Sequence, residues 1–453
     1  MDPKYIVALE IGSSHIRAAV GTTDADNNLQ LLAIEDEQAV DVVRYGIIQN
    51  VDEVSNRVNR LIRKLENYPS IYPRKIKGVY VAVGGRSAMS TSRQVVRQFD
   101  EETSISPEII AQMKEEAKTL ALSDRTILQI LPRDYMVDNM HVHNPVGTLG
   151  KNIRADISLI TCKPKLERNL EVALTNRHQL SIKGKITRQT AIADMVLTPE
   201  EKSLGCMLVD FGAETTTLSI YKNNALQFLM TLPIGSRNIT RDVMSLKFSE
   251  ERAEEIKRAI GDAFNPEPNY RKLDFDGDVV EVNNYIRARA GEIVANIVEQ
   301  AKCAGFMLEE DLPGGIILVG GGAKLKGFSD LLANQSNMKV RLGTVPAGIR
   351  ISNPSWQGME KIDIIAILSE AVNRGAVDCM ETPHVEMPTP DYEDDDPDGP
   401  GPRPRATKGG RKANTDEVET TPKTPPTPSF WKKITNRVQQ TLTKDIFTEP
   451  DDE

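Results

Sequence analysis

Residues 9–18 read Leu-Glu-Ile-Gly-Ser-Ser-His-Ile-Arg-Ala, and residues 209–218 read Val-Asp-Phe-Gly-Ala-Glu-Thr-Thr-Thr-Leu. Each stretch follows an apolar strand (Tyr5–Leu9, Cys206–Val209) and runs acid–apolar–glycine, then small polar residues, then a second β-like run. Glu10 and Asp210 lie 200 positions apart, as do Gly12 and Gly212. A glycine in a tight strand–turn–strand lets backbone N–H groups approach an anion with no Cβ in the way. An acid at the strand end can hold a hydrated Mg²⁺, and Ser13, Ser14 and Thr215 add hydroxyl donors. Two such turns facing each other would clamp a phosphate chain between two domains. One copy alone reads as well as an ordinary hairpin. The order of the other elements favours the clamp.

Working outward, 453 residues suggest about three domain-sized units. An apolar share of 39% is enough for real cores, and a net charge of −9 argues against general nucleic-acid binding. Cys162, Cys206, Cys303 and Cys379 are far apart and form no CxxC pair, which reads as a reducing compartment without a zinc site. No run of about 18 apolar residues spans a membrane. The opening Met-Asp-Pro runs straight into a strand, which reads as no signal peptide.

The first hairpin is followed by a strand at 29–35 and a helix N-capped by Asp52, with Val54, Val58, Leu61, Ile62 and Leu65 on one face. A β-rich run, Ile76–Val83, ends in Gly84-Gly85. Residues 86–155 then break the rhythm with a polar strand at 90–99, a helix starting at Ser106-Pro107 and a turn at Asn144–Gly147. They read as a small inserted α+β unit. A strand at 156–162, a helix at 165–177, a strand at 180–187 and a connecting helix at 188–197 resume the layer. After the second repeat come a strand at 224–232, helices near 236–247 and 249–260, an acidic loop at 262–283 and a long helix from about Asn284. The buried strand before Gly320-Gly321-Gly322 leads into Lys324, a turn a flat ligand could approach closely. Neither GxxxxGK[ST] nor GxGxxG spacing is present. A last helix runs over 361–375.

From 381 to 428 eleven prolines fall in 48 residues, with an acidic block at Asp391–Asp398 and a basic one at Arg403–Lys412. This composition reads as a disordered linker. Beyond it, Trp431, Ile434, Val438, Leu442 and Ile446 recur at helical spacing, flanked by Phe430, Phe447, Lys432, Lys433 and Arg437. One apolar face, cationic flanks and an aromatic suit an interfacial membrane helix. Each basic residue near an anionic surface adds about 1 kcal/mol. A helix docking into a protein groove is the alternative. The aromatic and cation placement favours the membrane.

Taken together, the chain resembles the FtsA family of bacterial cell-division proteins, within the actin, sugar-kinase and heat-shock-chaperone ATPase superfamily. The motifs that carry the resemblance are Leu9–Ser13, Ile130–Tyr135 with Asn144–Gly147, Leu208–Gly212, Ala253–Lys257 and Ile316–Ala323. The resemblance implies an α/β, two-lobed actin-like ATPase fold with the small α+β subdomain inserted in the first lobe. The first lobe would span 1–85 and 156–190, the insert 86–155 and the second lobe 191–380, with an outer subdomain at about 236–312. The linker at 381–428 and the membrane helix at 429–447 would follow.

It also implies ATP and Mg²⁺ in the cleft. Glu10, Gly12, Ser13 and Ser14 would line one side, and Asp210, Gly212, Ala213 and Thr215 the other. Gly320, Gly321, Gly322 and Lys324 would meet the adenosine, Glu254 and Lys257 the adenosine and ribose. Glu10 and Asp210 would hold the metal. The outer subdomain would receive the C-terminal tail of FtsZ, with Arg287 and Arg289 on the facing helix. Copies would polymerise head to tail, and later division proteins would be recruited at the septum, on the inner face of the cytoplasmic membrane.

Two departures from the family pattern stand out. Glu214 lies where members carry a glycine-rich loop, and two like charges about 4 Å apart repel by roughly 4 kcal/mol at an effective dielectric near 20. The connecting helix also lacks the usual water-orienting acid or glutamine at the expected place, and Gln189 is the nearest candidate. Weak hydrolysis or none is expected. The competing readings are a sugar kinase of the same superfamily and a pilus-assembly actin homologue.

Overall fold

Both repeats are hairpin tips. Tyr5–Ile11 runs antiparallel to His15–Thr23, with Glu10 opposite Arg17. Cys206–Phe211 pairs likewise with Thr216–Lys222, with Asp210 opposite Thr217. A third antiparallel strand follows each, Leu29–Gln38 and Ala225–Leu232. On the other flank each leading strand gains a parallel neighbour, Gly78–Val83 and Ile316–Val319. The likeness of two ten-residue stretches therefore extends to two four-strand units. Ile6–Leu9 and Cys206–Phe211 are buried throughout, as strands covered on both faces must be. The computed structural model describes residues 4–24, 28–119, 124–176, 180–265, 275 and 277–381. The linker beyond 381 and the expected membrane helix at 429–447 lie outside the described residues.

In the first sheet the order is Ser181–Thr187, Gly78–Val83, Tyr5–Ile11, His15–Thr23, Leu29–Gln38 and Arg350–Ile351. The helix Val51–Glu66 covers it with Val54, Val58, Leu61, Ile62 and Leu65, the face its spacing predicts. Its cap is Asn50, whose side chain accepts from Glu53 N, and Asp52 sits inside the first turn. An acid there favours the helix dipole without capping it. The long helix Val279–Cys303 also starts earlier than its apolar pattern suggests, because Asp278 accepts from Val280 N and Glu281 N.

Residues 89–162 form their own core around Val95, Met113, Ile153 and Ile157, under the helix Pro107–Thr119. Their long strands Met89–Ser104, Thr126–Val137 and Leu149–Cys162 join the sheet of the second hairpin at one edge. The ladder there is a single pair, Met230 with Met89. Side chains reinforce it: Leu229 N donates to Ser90 Oγ (2.8 Å), Ser158 Oγ to Leu226 O (3.1 Å), and Arg133 binds Gln227.

The chain does not stay in the second lobe to residue 380. Arg350–Ile351 pairs with Leu29–Gln38, the helix Ile362–Asn373 enters the first core, and Met380–Glu381 pairs with Lys75–Ile76. The reason is in the helix itself. Ile362, Ile364, Ile365, Ile367 and Leu368 leave almost no polar face, so it needs cover on every side. It finds that cover against Tyr5–Ile11 and the connecting helix Arg188–Val196. Among the described residues, no helix is long and apolar enough to cross a membrane.

Candidate functional site

Four chain segments from both lobes meet at one guanidinium. Arg188, the first residue of the connecting helix, places Nη2 2.9 Å from Asp210 Oδ2. Its Nη1 lies 3.5 Å from Glu10 Oε1 and 3.8 Å from Asp363 Oδ2. Arg17, opposite Glu10 in the first hairpin, adds Nη1 at 3.1 Å from Glu10 Oε2. Glu10 and Asp210 are only 2% and 3% exposed. Burial pushes both carboxyls up, Glu10 against the pull of Arg17 and Asp210, to about 7, against that of Arg188. The surrounding acids push Arg188 up, outweighing its own desolvation, and hold it charged.

Glu10 and Asp210, the acids expected to hold Mg²⁺, both face this guanidinium. The two acids share a cation that the chain supplies. Among the described residues, no group of three His, Cys, Asp or Glu is placed to hold a metal ion.

The first tip is tight. Gly12 N donates to His15 O at 3.0 Å, and a Cβ on Gly12 would stand 2.7 Å from Glu10 Oε1. Ser13 Oγ accepts from Gly46 N at 2.8 Å, and Ser14 Oγ lies 2.7 Å from His15 Nδ1. At the second tip Gly212 N donates to Thr215 O, while Gly212 O and Ala213 O accept from Ser236 N and Arg237 N. The start of the helix Ser236–Met244 therefore backs the loop.

Glu214 is not left to repel a ligand. Its carboxylate, 1% exposed, takes Arg237 Nη1 at 3.1 Å, Arg44 Nε at 3.2 Å and Arg241 Nη2 at 3.4 Å. Tyr45 N donates to it at 2.7 Å. Cations relieve the repulsion, and two of these groups, Arg44 and Tyr45 N, cross from the first lobe.

The glycine-rich turn lies against the second hairpin. Gly320 has φ +92, and a Cβ there would meet Phe211 O at 2.5 Å and Asp210 Oδ1 at 2.7 Å. Gly322 packs on the Phe211 ring, which stacks on Phe328 with centroids 4.2 Å apart. Gly321 is open, its nearest neighbour being Glu360 Cβ at 3.9 Å. Lys324 reaches Glu360 at 3.1 Å.

Other expected residues are engaged elsewhere. Lys257 Nζ binds Glu254 (2.6 Å), Thr240 Oγ1 (2.8 Å) and Ser236 O (3.2 Å), so its three donors are taken within the second lobe. Glu254 also accepts from Arg258. Arg289 holds Asp242 and Glu292. Arg287 is half-buried, and the described residues show no ion pair for it. Gln189 is 1% exposed, lies against Gly84, and has neither amide atom bonded among the described residues.

Sequence reasoning missed Arg188, Asp363, Arg17 and the three arginines around Glu214. One signal was available: Arg188 heads a connecting helix whose next five residues, Gln189–Ala193, are buried and uncharged, and a cation beside such a stretch demands acids from elsewhere.

A duplicated hairpin sheet, two lobes with crossing helices and an inserted α+β unit define an actin-like ATPase fold. A solved structure titled PilM-PilN type IV pilus biogenesis complex shares it, with a TM-score of 0.59 at 15% identity, over 81% of this chain and 98% of that one. The family description "Cell division protein FtsA" matches residues 207–357, and "SHS2 domain inserted in FTSA" matches 84–161. The cell division protein FtsA of Porphyromonas gingivalis is 30% identical over 366 residues, 78% of this chain and 74% of that one. Its namesake in Pseudomonas aeruginosa is 29% identical, over 77% and 84%. The chain belongs to the FtsA family of cell-division proteins.

Proposed function

We infer that this chain binds ATP between its two hairpin tips, assembles head to tail with copies of itself, and joins FtsZ filaments to the inner face of the cytoplasmic membrane at the septum. The observation that carries the nucleotide reading is the meeting of both tips at Arg188, with Gly12 and Gly320 each bare against an acid. Buried donors there lack acceptors among the described residues, Arg17 Nε and Arg188 Nε among them, and phosphate oxygens would satisfy them. Gly321 leaves room for a base. Gln189 is the candidate for positioning water, and turnover is slow or absent.

The remaining parts rest on family membership and on the sequence. The outer part of the second lobe, about 236–312, takes the FtsZ tail, with Arg287 the freer of the two arginines. Residues 429–447 dock on anionic lipid through Trp431 and the apolar positions, with Lys432, Lys433 and Arg437 at the headgroups. Later division proteins gather on the resulting filament.

The test is titration of a fluorescent ATP analogue into the full chain and into Asp210→Ala. Binding that the substitution removes supports the reading, and absence of binding in the unaltered chain refutes it. Flotation on anionic vesicles, with and without 429–447, tests the membrane part. Equal flotation of both would refute it.

A further inference from the structure

We propose that Arg188 is the resident counterion of the phosphate site, standing where a divalent metal would otherwise bridge the two tips, so that this chain takes up nucleotide without a metal. The proposal rests on the nucleotide reading above and names the cation of that same site.

Three features carry it. First, the guanidinium already makes the contacts a bridging ion would make, to Glu10 on one tip and Asp210 on the other. Second, it is held there. Helix Arg188–Val196 is clamped against Ile362–Asn373, and Asp363 in the first turn of that helix adds a third acid. Withdrawing the guanidinium would strand three carboxylates with only Arg17 beside them, at heavy electrostatic cost. Third, the cluster is not closed on itself. Arg188 Nε is a buried donor and Asp363 Oδ1 a buried acceptor, and neither has a partner among the described residues. An oxygen of a phosphate chain would supply the acceptor for Nε. A planar, always charged group with donors on three nitrogens suits this double duty, and an ammonium does not.

The experiment uses the full chain and a fluorescent ATP analogue, titrated once in excess EDTA and once in millimolar Mg²⁺. The two affinities should agree within about threefold. Arg188→Gln should lose about tenfold or more in EDTA and recover in Mg²⁺, because the freed acids then accept the metal. A second readout needs no nucleotide. Electron paramagnetic resonance of Mn²⁺ added to the ligand-free protein should show no site in the unaltered chain and a new one in Arg188→Gln. If Arg188→Gln does not fold, the EDTA and Mg²⁺ titrations of the unaltered chain still decide. Nucleotide binding that appears only with Mg²⁺, or a Mn²⁺ site in the unaltered chain, overturns the proposal and leaves the nucleotide reading intact. No binding in either buffer overturns both.

Discussion

The two hairpin tips share one backbone plan and neutralise charge in opposite ways. The first is self-contained. Glu10 has Arg17 from its own hairpin and Arg188 from a helix in the same core, and its turn carries only serines. The second is incomplete alone. Asp210 has Arg188, and Glu214 needs Arg44 and Tyr45 N from across the cleft as well as Arg237 and Arg241 from its own side. A duplicated backbone therefore does not duplicate its electrostatics. The asymmetry gives the second tip a carboxylate that is held from both lobes.

The largest effect that would break this comparison is at the residue both tips share. Arg188→Ala leaves Asp210 with no cation among the described residues and should cost about 3–5 kcal/mol, read as a lower urea midpoint. Arg17→Ala should cost less, because Glu10 keeps Arg188. Equal losses would mean that the tips are not as unlike as the geometry makes them.

Glu214→Gln comes next. It keeps the shape, removes the charge and crowds three guanidiniums around a neutral amide, at a cost of about 1–3 kcal/mol. Hydrogen exchange should rise at residues 43–48, the segment that Glu214 pins from the far lobe. Unchanged exchange there would remove the cross-cleft role.

The glycines sharpen the contrast further. Gly320→Ala sets a side chain at φ +92 against the Phe211 carbonyl and should cost about 1–3 kcal/mol. Gly12→Ala should cost less, since its closest neighbour is the movable end of Glu10. Thermal melting of the pair checks the order.

The last effect is pH-dependent and belongs to His15 in the first tip. Burial and Arg17 hold His15 down at about 4. As pH falls through 6.5 the unfolded chain takes up a proton that the folded one refuses until about 4, so stability is lost on that side. Between pH 7 and 5 the urea midpoint of the unaltered chain should fall relative to that of His15→Gln, because Asp210, held up at about 7, acts equally in both. Parallel slopes would remove His15 from the account.

Much of this fold was legible in the sequence. Acid–x–glycine after an apolar strand, twice and 200 residues apart, located both tips, and the apolar spacing of 51–66 located its helix. What was not legible depends on distant residues. Asn50 outcompetes Asp52 because its side chain reaches Glu53 N, a geometry that composition does not reveal. The return of 350–381 to the first lobe follows from a helix that must be covered all round. At the site, Glu214 read as an uncompensated charge because its arginines lie at 44, 237 and 241. Arg188 read as one more residue of a connecting helix because its acids are 178 residues before it and 22 and 175 after it.

The seam between residues 89–162 and the second hairpin sheet has a mechanical consequence. The insert is welded to the first lobe by the peptide chain and buttoned to the second by one ladder pair and a few side chains. Such a part is fastened to both plates at once. Any hinge rotation of the plates must either turn the insert or undo the buttons, and the buttons around Ser90, Leu229 and Gln227 determine which of the two takes the load.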